Sequence, residues 1–166
     1  MKRRLTLLRH AKSSWNNAGL DDRDRPLNDR GERDAPAMGK RLLNRKTRPS
    51  LILTSPAKRA RQTARLIARE IGYPIEFLQT EHELYLADPE TIIDVIAQQE
   101  DSFNDIVVCG HNPGITELSN QLDGVSIDNV PTCGMVFIEA DISSWAELDP
   151  ARCTLAEFDY PKRSRN

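Results

Sequence analysis

The sequence predicts an α/β fold, a three-layer α/β/α sandwich built on a mostly parallel central sheet. Three observations lead there. Short β-rich runs alternate with amphipathic helical stretches along most of the chain. The helical stretches carry their apolar residues on single stripes and open on capping signals. A length of 166 residues suits one core and leaves no room for a second.

The elements follow in order. Residues 4–9 read as a strand and 29–44 as a helix; 51–54 as a strand and 57–71 as a helix; 75–78 as a strand and 89–99 as a helix; 106–109 as a strand and 113–122 as a helix. Ala60, Ala64, Ile67 and Ile71 fall on one helical stripe, as do Ile115, Leu118 and Leu122. Asp29 and Glu32 have capping-box spacing, while Asp88-Pro89 and Asn112-Pro113 each place an N-cap residue before a proline at the first helical position. Pro36, inside the first helical pattern, predicts a kink or a late start. Residues 135–140 and 153–160 read as two more strands, joined by an irregular stretch containing Trp145. A single domain is expected over residues 1–160, with a loose tail over 161–166.

Composition excludes several classes. With 39% hydrophobic and 29% charged residues, the chain is neither disordered nor low-complexity. No apolar run approaches the roughly 20 residues that span a bilayer. The stretch after Met1-Lys2-Arg3-Arg4 reaches Arg9-His10 too soon for a signal peptide, so a cytoplasmic protein without membrane association is expected. Cys109, Cys133 and Cys153 form no CxxC pair and read as buried thiols.

The net charge of −2 conceals a division. Residues 1–69 carry 19 Lys and Arg against 6 Asp and Glu, a net +13, and no basic residue occurs between Arg69 and Arg152. A basic first half suggests anion binding. Nucleic acid is not the expected partner, because only 9 aromatic residues are present and none interleaves with the bases.

In a parallel sheet with helices on both faces, ligands bind outside the carboxyl ends of the strands. Three of the expected strands end in reactive or anion-binding chemistry. Leu8 runs into Arg9-His10, Leu53 into Thr54-Ser55-Pro56 with Arg59 behind it, and Cys109 into Gly110-His111-Asn112-Pro113-Gly114. Arg59 sits in the first turn of its helix, where the macrodipole disfavours a cation by ~0.3–1 kcal/mol. A phosphate held jointly by the helix N-terminus and the guanidinium fork would offset that cost. Lys58, Arg61, Arg65 and Arg69 form a solvated stripe instead. His10, beside the fixed charge of Arg9, is expected to stay neutral and therefore nucleophilic. Attack on phosphorus would give a phosphohistidine, and His111 could stabilise charge on a nonbridging oxygen. His82, between Glu81 and Glu83, reads as a surface residue.

Leu8-Arg9-His10-Ala11-Lys12-Ser13, then Ser55-Pro56-Ala57-Lys58-Arg59-Ala60-Arg61-Gln62-Thr63, then Gly110-His111-Asn112-Pro113-Gly114 resemble the three signatures of the histidine phosphatase superfamily, the phosphoglycerate mutase-like enzymes, in the family order. The short chain, with Arg25-Pro26-Leu27 leading into the first helix, most resembles the small phosphohistidine phosphatase branch. The resemblance spans roughly residues 4–140. It implies that His10 is the phosphorylated nucleophile and that Arg9, Arg59 and His111 complete the phosphate pocket. It matches Arg25 to an additional arginine at the pocket rim, Asn16 to a phosphate-contacting asparagine, and Glu83 by position to the general acid of larger members. Ala11 stands where many relatives have Gly, and Lys12 where mutase-like members often have Glu. Both departures point away from mutase activity, and a chain this short has little length for a water-excluding lid.

The expected function is a metal-independent phosphatase acting on phosphate monoesters or phosphoramidates, with protein phosphohistidine as the leading substrate and no cofactor. A phosphatase of small phosphorylated metabolites would use the same site. A non-catalytic phosphate-binding module would need no nucleophile, and a metallohydrolase would need a ligand cluster such as HExxH that the sequence lacks.

Overall fold

The computed structural model describes residues 2–46, 48–124 and 126–163; of Asp123 it describes the backbone only. Four parallel strands form the heart of the sheet: β1 (Lys2–Arg9), β2 (Leu51–Thr54), β3 (Gln79–Thr80) and β4 (Asp105–Gly110). Two antiparallel strands, β5 (Met135–Asp141) and β6 (Cys153–Asp159), extend it, in the order β3-β2-β4-β1-β5-β6. Leu7 of β1 lies opposite Val108 of β4, and Leu53 of β2 opposite Val108 from the other side, so β4 separates the other two.

Side chains alternate across this sheet with the two-residue period of a strand. Leu5, Leu7, Leu51, Leu53, Ile106 and Val108 enter one core, whereas Leu8, Ile52, Val107 and Cys109 enter the other. Helices α1 (Asp29–Asn44) and α2 (Lys58–Ile71) pack together over the second core. Helices α3 (Pro89–Ala97) and α4 (Gly114–Asp123) cover the first. The stripe Ala60, Ala64, Ile67 and Ile71 is buried as its spacing predicts. Gly72 then ends α2 in the left-handed region at φ 75°, and its N–H caps the carbonyls of Ala68 and Arg69.

Several local expectations are corrected. Residues 75–78 are not a strand: Ile75–Phe77 form a 3-10 turn after Pro74, and only Gln79 and Thr80 pair with β2. Phe77 is exposed there, and only Leu78 of the run packs against the second core. The cap of α1 is Asn28, whose side chain accepts from Gly31 N–H at 2.9 Å, and not Asp29. Helix α1 starts ahead of Pro36 and continues through it. The N-cap position of α4 is Pro113; Asn112 instead accepts from Thr116 N–H and Oγ1 at 3.1 and 2.8 Å. Arg41 binds the carbonyls of Tyr160 and Pro161 at 2.7 and 3.0 Å, and residues 164–166 of the expected loose tail lie outside the described residues. Cys109 and Cys133 are buried, whereas Cys153 is only partly so. Among the described residues, no helix is long and apolar enough to cross a membrane.

Candidate active site

The carboxyl ends of β1, β4 and β2 lie side by side, and the residues that follow β1 and β2 are held by the backbone of β4. His10 N–H donates to Gly110 at 3.1 Å, and Ser55 N–H donates to Cys109 at 3.0 Å. These bonds extend the parallel ladder by one step and fix where His10, Ser55 and His111 emerge. His10 is 8% exposed and His111 3%, with ring centroids 5.2 Å apart.

The loop after His10 is pinned from two helices. Ala11 N–H donates to Thr63 Oγ1 at 2.9 Å, and Thr63 in turn donates to the Arg59 carbonyl at 2.7 Å. Asn28 N–H donates to Lys12 carbonyl at 3.0 Å, and Gly31 packs so closely that a Cβ there would stand 2.2 Å from the same oxygen. Only glycine permits that approach.

Each histidine has a defined orientation. His10 Nδ1 lies 2.7 Å from the Ala11 carbonyl, which can only accept, so Nδ1 carries the proton and Nε2 carries the lone pair. His111 Nε2 lies 2.7 Å from Ser55 Oγ, and its Nδ1 lies 3.4 Å from Arg59 Nη2. A guanidinium only donates, so Nδ1 accepts and Nε2–H points to Ser55. Burial, then the charges of Arg59, Arg9 and Arg25, depresses His10 to a pKa of about 4. Burial, then the neighbouring His10 and Arg59, depresses His111 to about 3. Both imidazoles are neutral near pH 7. The sequence attributes this to nearby cations, but desolvation is the larger cause.

The arginines gather around them. Arg59, in the first turn of α2, is 2% exposed, and Nε of both Arg59 and Arg9 is buried without a hydrogen-bond partner. Arg9 Nη1 donates to the Val130 carbonyl at 3.0 Å. Arg25 donates to Ser13 Oγ at 2.8 Å and stacks over exposed Trp15, its guanidinium carbon 3.5 Å from the ring centroid. The charges of Arg9, Arg25 and Arg59 thus surround two neutral rings, and the cluster is net cationic.

Asp22 and Tyr85 complete the cluster. The Asp22 carboxylate pairs with Arg59 Nη2 at 2.9 Å and Arg25 Nη2 at 3.1 Å, and it accepts from the Tyr85 hydroxyl. Burial works to raise its pKa, but hydrogen bonds from Tyr85, Arg59 and Arg25 overcome this and hold it at about 2. Tyr85 also meets His111 edge-on at 5.6 Å and lies under Arg23 at 4.4 Å. The anion expected on Arg59 is therefore supplied here by the chain itself. Asp22 was visible only as part of the run Asp21 to Arg25, which equally suits surface ion pairs. Tyr85 had one sequence signal, its position next to Leu84, whose burial anchors the turn.

The remaining candidates are exposed, and among the described residues neither side chain is hydrogen-bonded to the cluster. Asn16 is exposed, and its hydrogen bond runs from its backbone N–H to Ser14 Oγ at 3.1 Å. Glu83 is exposed on the 3-10 turn His82–Leu84, and no hydrogen bond joins it to the arginines or histidines. His82 is exposed, as expected. Among the described residues, no group of three or more His, Cys, Asp or Glu is arranged to hold a metal ion.

Residues 5–112 match the histidine phosphatase superfamily (branch 1). A chloroplastic protein of Arabidopsis thaliana, itself uncharacterised, is 34% identical over 155 residues, covering 89% of this chain and 71% of that one. An uncharacterised protein of Mycobacterium tuberculosis is 32% identical over 165 residues, covering 93% of this chain and 100% of that one. The crystal structure of a candidate phosphohistidine phosphatase, SixA from Agrobacterium tumefaciens, has a TM-score of 0.80 at 30% identity, covering 96% of this chain and 98% of that one. The family match runs through His10, Arg59 and His111 alike, so the chain belongs to the histidine phosphatase superfamily (branch 1) and is a phosphatase.

Proposed function

We propose that the protein removes phosphoryl groups from phosphohistidine on proteins, by way of a covalent phosphohistidine on His10 and without a metal. The carrying observation is the hydrogen bond from His10 Nδ1 to the Ala11 carbonyl, which leaves a neutral ring with its lone pair on Nε2 beside three arginines.

In the first step Nε2 of His10 forms a bond to phosphorus as the bond to the leaving nitrogen breaks. The leaving imidazole keeps the electron pair. Because its ring is protonated at the other nitrogen, it departs as a neutral base. Water then attacks phosphorus, the P–Nε2 bond breaks, and the pair returns to His10; the water's proton passes to solvent and inorganic phosphate is released. Arg9 and Arg59 bind the equatorial oxygens by charge-assisted hydrogen bonds from their guanidinium groups. His111 takes a proton from solvent on Nδ1 when the dianion arrives, donates it as a hydrogen bond to a phosphoryl oxygen, and returns it to solvent as phosphate leaves. Arg25 contributes charge at the rim. No step is assigned to Glu83 or Asn16, because an imidazole leaving group needs no separate carboxylic acid.

A protein-borne substrate is favoured by the likeness to SixA of Agrobacterium tumefaciens and by the exposed Trp15 and Leu86 beside Arg25 and Tyr85, which a protein surface could cover. Three thiols with no disulfide among them suit a reducing cytoplasm. The test is a rate comparison on phosphohistidine peptides, phosphoserine peptides and small sugar phosphates, with and without excess chelator. The reading predicts the highest kcat/KM on phosphohistidine, unchanged by chelator. A higher value on a sugar phosphate would assign the site to metabolites, and loss of activity that a divalent ion restores would overturn the metal-independent mechanism.

A further inference from the structure

We propose that Asp22 is an internal anion that competes with the phosphoryl group for Arg59 and Arg25, and thereby limits how tightly the site holds inorganic phosphate. The inference rests on the reading that these arginines bind the phosphoryl group.

Asp22 already occupies the donors such a group would use. Its Oδ2 is 2.9 Å from Arg59 Nη2 and accepts from the Tyr85 hydroxyl, and its Oδ1 is 3.2 Å from Arg25 Nε and 3.1 Å from Arg25 Nη2. Its carbonyl accepts from Arg59 Nη1 at 2.6 Å. One residue thus takes both terminal nitrogens of the buried Arg59 fork and draws in a second guanidinium. A dianion entering between Arg59 and His111 meets this carboxylate as a like charge at close range. It must share the fork or displace the side chain.

Displacement is feasible from the packing. The Asp22 side chain is 41% exposed, and the 3-10 turn Asp22–Asp24 that carries it buries no residue. Arg59, by contrast, is fixed in α2. The mobile partner of the pair is therefore the carboxylate. Its return to Arg59 after hydrolysis would help expel phosphate, so turnover gains what ground-state binding loses.

Competitive inhibition by inorganic phosphate tests this, measured at constant pH and ionic strength in wild type and four variants. Asp22→Asn removes the charge at nearly constant shape and should lower Ki about tenfold, the size of one like-charge contact at a partly exposed site. Asp22→Ser provides a second neutral variant should the amide disturb folding. Asp22→Glu keeps the charge and should keep a Ki near wild type, which a purely structural role for Asp22 would not predict. Arg59→Ala should raise Ki. An unchanged or higher Ki in both neutral variants, with a raised Ki in Arg59→Ala, would overturn the inference while the phosphate pocket stands. An unchanged Ki in Arg59→Ala would overturn the pocket assignment and the inference with it.

Discussion

The rings of His10 and His111 lie with centroids 5.2 Å apart and planes inclined by 56°, each tethered by a different acceptor. Two imidazolium ions at that distance inside a cationic pocket would repel one another, and the structure avoids this by keeping both neutral. Proton NMR should find that neither ring titrates between pH 5 and 8, with midpoints near the values of about 4 for His10 and about 3 for His111. A midpoint near 6.5 for either would contradict the burial described here. The same shifts act on stability. Both folded values lie below the unfolded value, so the contribution is complete above about pH 6.5 and is lost as pH falls through the folded values. Thermal melting should show Tm declining between pH 6.5 and 4.

Arg59 should matter more to the transition state than to binding. On the proposed mechanism its buried fork beside His111 would place charge where the phosphoryl oxygens gain it, and loss of one such donor costs on the order of 10²–10³ in kcat. Steady-state kinetics on a phosphohistidine peptide should show that loss in Arg59→Ala. Arg59→Lys should recover little, because a point charge cannot replace a planar fork. Full activity in Arg59→Ala would remove the arginine from the mechanism.

Ser55 acts through His111 and is a positioning residue. Its hydroxyl holds Nε2 at 2.7 Å and also accepts from Ala57 N–H at 3.2 Å, so Ser55→Ala leaves a buried imidazole N–H unpaired at a cost of ~1–3 kcal/mol. We expect kcat to fall about tenfold with KM little changed, since the ring loses its orientation while the arginines stay. A change confined to KM would show that Ser55 serves binding instead.

Gly31 lies far from the chemistry in sequence but supports it through Lys12. A methyl group at this position would meet the Lys12 carbonyl at 2.2 Å, and neither backbone can yield without moving the loop after His10. Gly31→Ala should cost ~1–3 kcal/mol, as overpacking does. Differential scanning calorimetry should register a lower Tm, and kcat should fall with it. A variant with wild-type stability would mean that α1 can shift without disturbing the site.

The sequence was informative where physics is local. Leu5 to Leu8, Leu51 to Leu53 and Ile106 to Cys109 are apolar in a way that only doubly covered strands tolerate, and the stripe from Ala60 to Ile71 has one face to bury. Convergence of His10, Ser55, Arg59 and His111 then follows from strand order and the rule that ligands sit at carboxyl ends. The short strand begins only at Gln79, because Ile75 and Phe77 look apolar in sequence yet do not enter the core. Asp22 and Tyr85 were missed for a different reason. Their contact spans 63 residues, and neither an acidic run nor a tyrosine after Leu84 carries a local mark of the partner it will meet.

On the proposed mechanism His10 becomes phosphorylated during turnover, and that species can be trapped. The protein is mixed with substrate labelled in the phosphoryl group, quenched in alkali during turnover, and mapped by mass spectrometry. Label should appear on His10, be released by acid, and be absent from His10→Ala, which should also lose turnover. Undiminished turnover in His10→Ala, or label on another residue with none on His10, would contradict it.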